Sequence, residues 1–193
     1  MIVETVVSTL DETGTPNFAA MGVVWGETTL TIRPFTNTRT YRNLLRTEQA
    51  VVNVTDDVLV FTKSALSRAS FPWFPASAVQ GAVLEDTCSW REVRMLPTAR
   101  AGDGAVRVDL VTTVVGGGTL RPFAGLCRAK HAVVEAGIIA SRLRFIGLDE
   151  ARHELERLAT LVQKTGDAAE REAMDFVHDY VARWAGARAA TRR

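Results

Sequence analysis

Two cysteines in 193 residues, Cys88 and Cys127, are too few for a disulfide framework. They read as buried thiols of a protein kept in a reducing compartment. The chain also lacks a surplus of one charge: its net charge is +1, with charged residues of both signs interspersed. The basic face that a nucleic-acid binder turns to phosphates is therefore missing. No apolar run is long enough to cross a bilayer, since the best, Ala132 to Ala140, is short and holds Glu135. Nor does Met1-Ile2-Val3-Glu4 open a secretory leader, which needs a basic stretch and then an apolar one. These absences predict a soluble, cytoplasmic protein with neither nucleic acid nor membrane as partner. Internal repeats and low-complexity linkers are lacking too. Several catalytic signatures are missing as well. Gly116-Gly117-Gly118 has neither the Lys-Ser/Thr of a P-loop nor a dinucleotide spacing, and reads as a strand-to-helix turn. Ser64, Ser67, Asp57 and His178 come without a Gly-x-Ser-x-Gly elbow, which excludes a hydrolase triad of that kind. His153-Glu154 has the wrong spacing for a metalloprotease helix, and Cys127 with His131 supplies only half a zinc site, so no metal is expected.

What is present is a chain that is 47% hydrophobic, enough to fill a core for one domain or a domain with an appendage. The first third is rich in Val and Thr and reads as an antiparallel meander: Ile2 to Leu10, Phe18 to Trp25 and Thr28 to Arg33, with turn chemistry from Asp11 to Pro16 and at Gly26-Glu27. A short helix is expected over Tyr41 to Arg46, with Leu44 and Leu45 facing inward, then a strand from Gln49 to Thr55. Asp56-Asp57 caps a further helix to about Leu66. Ser67 to Ser77 reads as a loop. Its aromatic run, Phe71 to Pro75, is either a lid or dimer contact, or a loop pinned by its own rings. Two β segments, Gln80 to Met95 and Val106 to Val115, flank a turn at Arg100 to Gly104, and the three glycines end the β portion. Helical spacing follows over Ala129 to Leu143, Asp149 to Lys164, and a helix capped by Asp167 that puts Met174, Val177, Val181 and Trp184 on one face; the tail after Gly186 is expected to fray. Strands first and helices after predict an α+β chain: an antiparallel barrel over 1–118, a helical subdomain over 119–187, and a tail over 188–193.

The segment that carries chemistry is Arg33-Pro34-Phe35-Thr36-Asn37-Thr38-Arg39-Thr40-Tyr41-Arg42-Asn43-Leu44, which leaves a strand and opens a helix. The first N–H groups of a helix lack internal partners and sit at the positive end of its dipole, so an anion, above all a phosphate, is stabilised there. Thr36, Thr38 and Thr40 add hydroxyls, and Arg33, Arg39 and Arg42 add charge. The plainer alternative is that Thr38 only caps the helix while the arginines are solvated.

The ordered set Gly-Thr-Pro-Asn-Phe-Ala-Ala-Met-Gly-Val, Pro-Phe-Thr-Asn-Thr-Arg-Thr-Tyr-Arg-Asn-Leu and Ala-Val-Val-Asn-Val-Thr-Asp-Asp resembles the FMN-binding split-barrel superfamily of flavin reductases and pyridoxamine-phosphate-oxidase-like proteins. More narrowly, Arg128 to Leu143 and Val162 to Asp167 resemble the C-terminal helical segment of a branch associated with tetrahydromethanopterin-type one-carbon metabolism. The resemblance implies an antiparallel split β-barrel of the FMN-binding type followed by a helical segment, used as a homodimer with FMN at the interface. It implies an oxidoreductase whose small-molecule substrate and electron donor are open, or a non-catalytic flavin-binding sensor, carrier or assembly protein. By the same resemblance, Met21, Gly22 and Val23 run beside the flavin ring, Asn37, Thr38, Arg39 and Thr40 hold the phosphate with Arg33 near, and Asn53 and Thr55 lie by the flavin. In one place the chain departs from that branch. Its helical segment usually begins Pro-Phe-Asn-Arg-Ala, whereas here Pro122-Phe123-Ala124-Gly125-Leu126-Cys127-Arg128-Ala129 carries inserted residues.

Overall fold

A computed structural model describes residues 1–97 and 106–191; the turn expected at Arg100 to Gly104 lies outside them. In chain order the elements are β1 (Ile2–Leu10), β2 (Pro16–Trp25), β3 (Thr29–Ile32), α1 (Arg39–Thr47), β4 (Gln49–Val54), α2 (Val58–Leu66), β5 (Trp73–Pro75), β6 (Ala82–Leu84), β7 (Ser89–Met95), β8 (Leu110–Thr119), α3 (Arg128–Ser141), α4 (Leu143–Ile146), α5 (Leu148–Thr165) and α6 (Ala168–Thr191). Six strands close an antiparallel barrel in the order β1-β2-β3-β8-β7-β4, and β5 with β6 forms a separate two-stranded sheet. No helix among the described residues is long and apolar enough to cross a membrane.

The Val- and Thr-rich strands suit this barrel because branched side chains pack well on a pleated surface. Alternate residues point inward, where Val7, Val23, Leu30, Ile32, Val52, Val93 and Leu110 form the core. In β1 the residues from Thr5 to Thr9 are all buried, on both faces. Outside, Ser8 Oγ donates to the Ala82 carbonyl, and Val51, Val79 and Val83 form an outer cluster with Phe74 and Trp90. The aromatic run is thus pinned by its own rings. Phe71 meets Phe18 edge-on at 5.4 Å and Phe74 meets Trp90 at 5.7 Å. Part of the expected loop is strand β5, because Trp73, Phe74 and Pro75 pair with Leu84, Val83 and Ala82.

The expected strand from Gln80 to Met95 is in fact two, β6 and β7, broken where Thr87 Oγ1 donates to the carbonyls of Val54 and Ser89. Gly116 to Gly118 do not end the β portion either. They belong to β8, which starts later than expected, at Leu110, and runs to Thr119. Opposite Gly118 lies the Trp90 indole, so close that a Cβ at 118 would stand 2.3 Å from it, and Gly117 adopts φ +150°. A bulge between Glu92 and Val93 shifts the register here. Gly118 is room for an aromatic ring.

The chain divides into two compact units. One holds Met1–Thr55 and Arg68–Phe123; the other holds Asp56–Ser67 and the chain from Ala124 onward. In the second unit Val58, Leu59 and Leu66 of α2 join Val133, Leu155, Leu158, Val162, Met174 and Val177 in one core. A division by sequence order at 118 leaves α2 with the barrel, whereas its apolar face belongs with the C-terminal helices. Lys130 Nζ donates to the Asp56 carbonyl at 2.8 Å and lies 3.7 Å and 3.9 Å from the buried carboxylates of Asp56 and Glu170. The single helix expected to Leu143 breaks at Arg142, and Gly147 with φ 90° turns the chain into α5. The last helix does not fray at Gly186 but continues to Thr191, as its alanines favour, with Arg188 over the Trp184 ring at 4.9 Å. Cys88 is buried, while Cys127 is only half-buried and sits at the start of α3.

Candidate functional site

The site is built around the N-terminus of α1. Leu44 is fully buried in the barrel core, and Leu45, expected inward, is 45% exposed, since neighbouring residues on a helix point about 100° apart. Three polar contacts seat the helix on the barrel. Asn43 Nδ2 donates to Thr9 Oγ1 (3.0 Å), Asn17 Nδ2 to Thr40 Oγ1 (3.1 Å), and Arg46 Nη2 to the Leu10 carbonyl (2.7 Å).

Thr38 caps α1: its Oγ1 accepts from Tyr41 N and donates to the Phe35 carbonyl, while Thr38 N donates to that same carbonyl. The Tyr41 amide is therefore taken, and those of Arg39 and Thr40 have no partner inside the helix. No acidic residue stands in the first turn. Arginines surround it. Arg39 and Arg42 are exposed, and Arg42 Nη1 donates to the carbonyl of the exposed Asn37 at 3.3 Å. Arg33 Nη2 pairs with Asp109 Oδ2 at 2.8 Å, while its Nε is buried with no partner among the described residues. Arg107 donates from Nε to the Arg33 carbonyl at 2.7 Å and lays its guanidinium over the Phe35 ring at 5.2 Å. Asp11 faces the same end. Hydrogen bonds from the Thr13 hydroxyl and the Thr15 amide, with Arg39 nearby, hold its carboxyl below the ordinary range. Free amides, hydroxyls and guanidinium groups around one helix start make a donor set that fits a phosphate.

Met21, Gly22 and Val23 lie in the middle of β2. Met21 packs on the barrel core and Val23 is sealed within it, so their side chains serve the core. β3 pairs with Val24 and Trp25 alone, so from Pro16 to Val23 β2 has a ladder neighbour, β1, on one edge only. The other edge carries backbone groups outside the ladder, and Asn17 on this stretch bonds to Thr40 of α1. The structure thus joins the Asn17 end of β2 to α1, four to six residues along the strand from Met21, Gly22 and Val23. Asn53 lies across β1, opposite Val6, which itself pairs with Ala20 of β2. Asn53 is fully buried on β4, with Nδ2 donating to the Val6 carbonyl (3.1 Å) and Oδ1 accepting from Leu84 N (3.0 Å), so its amide ties β1 to β6. Thr55 follows β4 at the edge of the first unit. Sequence reasoning missed Arg107, Asp109 and Asp11. The alternation Arg107-Val108-Asp109 is the one cue, a strand-spaced charged pair on one face. The helical unit has its own groove, of about 520 Å³, floored by Ala159, Val162 and Met174, and none of the nominated residues lines it.

A closed antiparallel barrel of six strands, with a capped helix seated on it and no acid in that helix's first turn, is the architecture of the split-barrel class. The chain belongs to the DUF447 family: the model for the N-terminal domain of this protein of unknown function matches residues 3–114, and the C-terminal model matches 127–179. Among solved structures it is similar to an FMN-bound DUF447 protein from Methanosarcina mazei, at 23% identity and a TM-score of 0.79, over 93% of this chain and 94% of that one. It is more distantly similar to an NADH:FAD oxidoreductase from Streptomyces globisporus C-1027 (10% identity, TM-score 0.51, 61% of this chain and 75% of that one). An FMN-binding protein from Thermus thermophilus with bound p-hydroxybenzaldehyde stands at 17% identity and a TM-score of 0.51, over 64% and 75%.

Proposed function

We propose that this chain binds FMN and works as a flavin-dependent oxidoreductase, with the flavin held where two copies of the chain meet. The observation that carries the reading is the start of α1. Two uncommitted amides, at Arg39 and Thr40, open among arginines with no acid in the first turn, in a chain similar along nearly its whole length to an FMN-bound protein. In this reading the amides of Arg39 and Thr40 and the guanidinium of Arg39 bind the phosphate, while Thr38 fixes the turn and Asn37 and Arg33 flank it. The free edge of β2 at Met21, Gly22 and Val23 offers backbone groups to the ring. Behind it the sealed core excludes water. Asn53 acts at one remove, holding β1 and β6 in place, with Thr55 beyond it. FMN, when bound, supplies the hydride and electron transfer. The outer faces of β2, β3 and β8 carry small, half-buried residues, among them Ala20, Gly22, Val24 and Thr31, which suits close approach by a second copy.

The test is an absorbance titration of the purified chain with FMN, followed by anaerobic addition of NADH, NADPH or a tetrahydropterin. A perturbed flavin spectrum at an equimolar ratio, with reduction faster than that of free FMN, supports the proposal. Bound flavin that no reductant reaches faster than it reaches free FMN makes the protein a flavin carrier or sensor. An unperturbed spectrum at excess FMN overturns the reading.

A further inference from the structure

We propose that Arg107 is a specificity-determining ligand of the same site, one that makes it select a flavin bearing a phosphomonoester over one without. The inference rests on the FMN reading above. Its own ground is the way the charges around the cap turn are matched. Arg33 is matched by Asp109 at 2.8 Å. Arg39 acts on the Asp11 carboxylate through space, and Arg42 spends Nη1 on the Asn37 carbonyl. Arg107 is exposed and has no acidic partner among the described residues. It is nevertheless held in place. Its Nε donates to the Arg33 carbonyl at 2.7 Å, its plane rests on Phe35 at 5.2 Å, and Phe35 and Arg107 are bridge partners.

The Phe35 carbonyl accepts from both the amide and the hydroxyl of Thr38, so Arg107 is fastened to the very turn that exposes the α1 amides. Fastening the near end leaves the two Nη groups with no acceptor of their own among the described residues. A guanidinium braced in this way gives up little further freedom when it binds an oxyanion, and its planar fork matches a phosphate. A phosphomonoester carries about −1.5 to −2 charges at neutral pH, and its second ionisation lies near pH 6. Riboflavin, with the same ring and no phosphate, gains nothing from Arg107.

The experiment titrates FMN and riboflavin into the full chain and into Arg107→Ala and Arg107→Gln, following flavin fluorescence between pH 5 and pH 8. Arg107→Gln keeps a planar donor for the Arg33 carbonyl and removes the charge, so it serves if the alanine variant folds poorly. Each variant is expected to bind FMN about tenfold more weakly than the unaltered chain, with riboflavin affinity unchanged. The rise in FMN affinity of the unaltered chain between pH 5 and pH 7 is expected to shrink in both variants. Equal losses for FMN and riboflavin reduce Arg107 to a brace of the turn and overturn the inference, as does an unchanged FMN affinity. If the unaltered chain binds both flavins equally, the FMN reading survives and this inference falls. If it binds neither, both fall together.

Discussion

Glu92 is fully buried, yet its carboxylate accepts from the amides of Ser77, Ala78 and Val79, the Ser77 hydroxyl and the Trp90 indole. Burial pushes the carboxyl up, and the bonds from Ala78, Trp90 and Ser77 outweigh it, so Glu92 stays below its ordinary value of 4.5. The stabilisation this represents is present above the unfolded value and lost as pH falls through the lower, folded one. Glu92→Gln, which does not titrate, is expected to cost about 3 kcal/mol at pH 7 in urea unfolding. The gap to the unaltered protein should narrow as pH drops below 4.5; a gap constant down to pH 3 contradicts it. Gly118→Ala drives a methyl into the Trp90 ring and is expected to cost about 2 kcal/mol or more in the same assay. Neither role was legible in the sequence, because each depends on a partner distant in the chain, the Ser77 to Val79 amides for Glu92 and the Trp90 ring for Gly118. The cap at Thr38 was legible, since its partners Phe35 and Tyr41 are three residues away on either side. Asn53, expected beside the flavin, has its amide bonded to Val6 and Leu84, partners on β1 and β6 that are distant in the chain.

At the scale of elements, α1 joins stability to binding. Leu44→Ala removes a fully buried side chain from the barrel core and is expected to cost about 2–5 kcal/mol, read as a lower midpoint in thermal or urea unfolding. Because the same helix presents the Arg39 and Thr40 amides, FMN affinity should fall with it. The Thr38→Ala, Thr40→Ala double change is expected to weaken FMN binding while costing about 1–2 kcal/mol of stability, and unchanged affinity removes the phosphate from this turn. Strands β1, β2 and β4 and helices α1, α2, α5 and α6 could be read from Val/Thr runs, caps and helical spacing, because those signals are local. The division of Gln80 to Met95, the persistence of β8 through its glycines and the break at Arg142 could not. The first two are set by contacts at long range, Thr87 on Val54 and Trp90 on Gly118, and the third by backbone angles at Arg142 (φ −111°, ψ 15°) that its residue type does not announce.

For the whole molecule, the order of strands then helices was enough to give the class of fold, since a closed sheet and a helical core are each built from contiguous patterns. The boundary between the units was not, because α2 looks like any short helix until its partners are known. Two expectations belong to this scale. If two copies share the flavin, light scattering should give twice the 21.1 kDa of one chain, and a mass of one chain denies the shared site. Lys130→Met leaves the Asp56 and Glu170 carboxylates without their cation and is expected to destabilise the helical unit by about 2–4 kcal/mol, seen as an earlier loss of helical signal on heating. The placing of α2 also has a consequence in time. A ribosome making roughly 5–20 residues per second finishes α2 and must then add roughly a hundred residues before Ala173 and Met174 emerge, a wait on the order of ten seconds. Through that interval Leu59 and Leu66 lack their α6 partners, so the nascent chain carries a sticky helix while β7 and β8, the last strands of the barrel, are still to be made. A helper that shields apolar surface during synthesis has its natural target there, between Asp56 and Ser67.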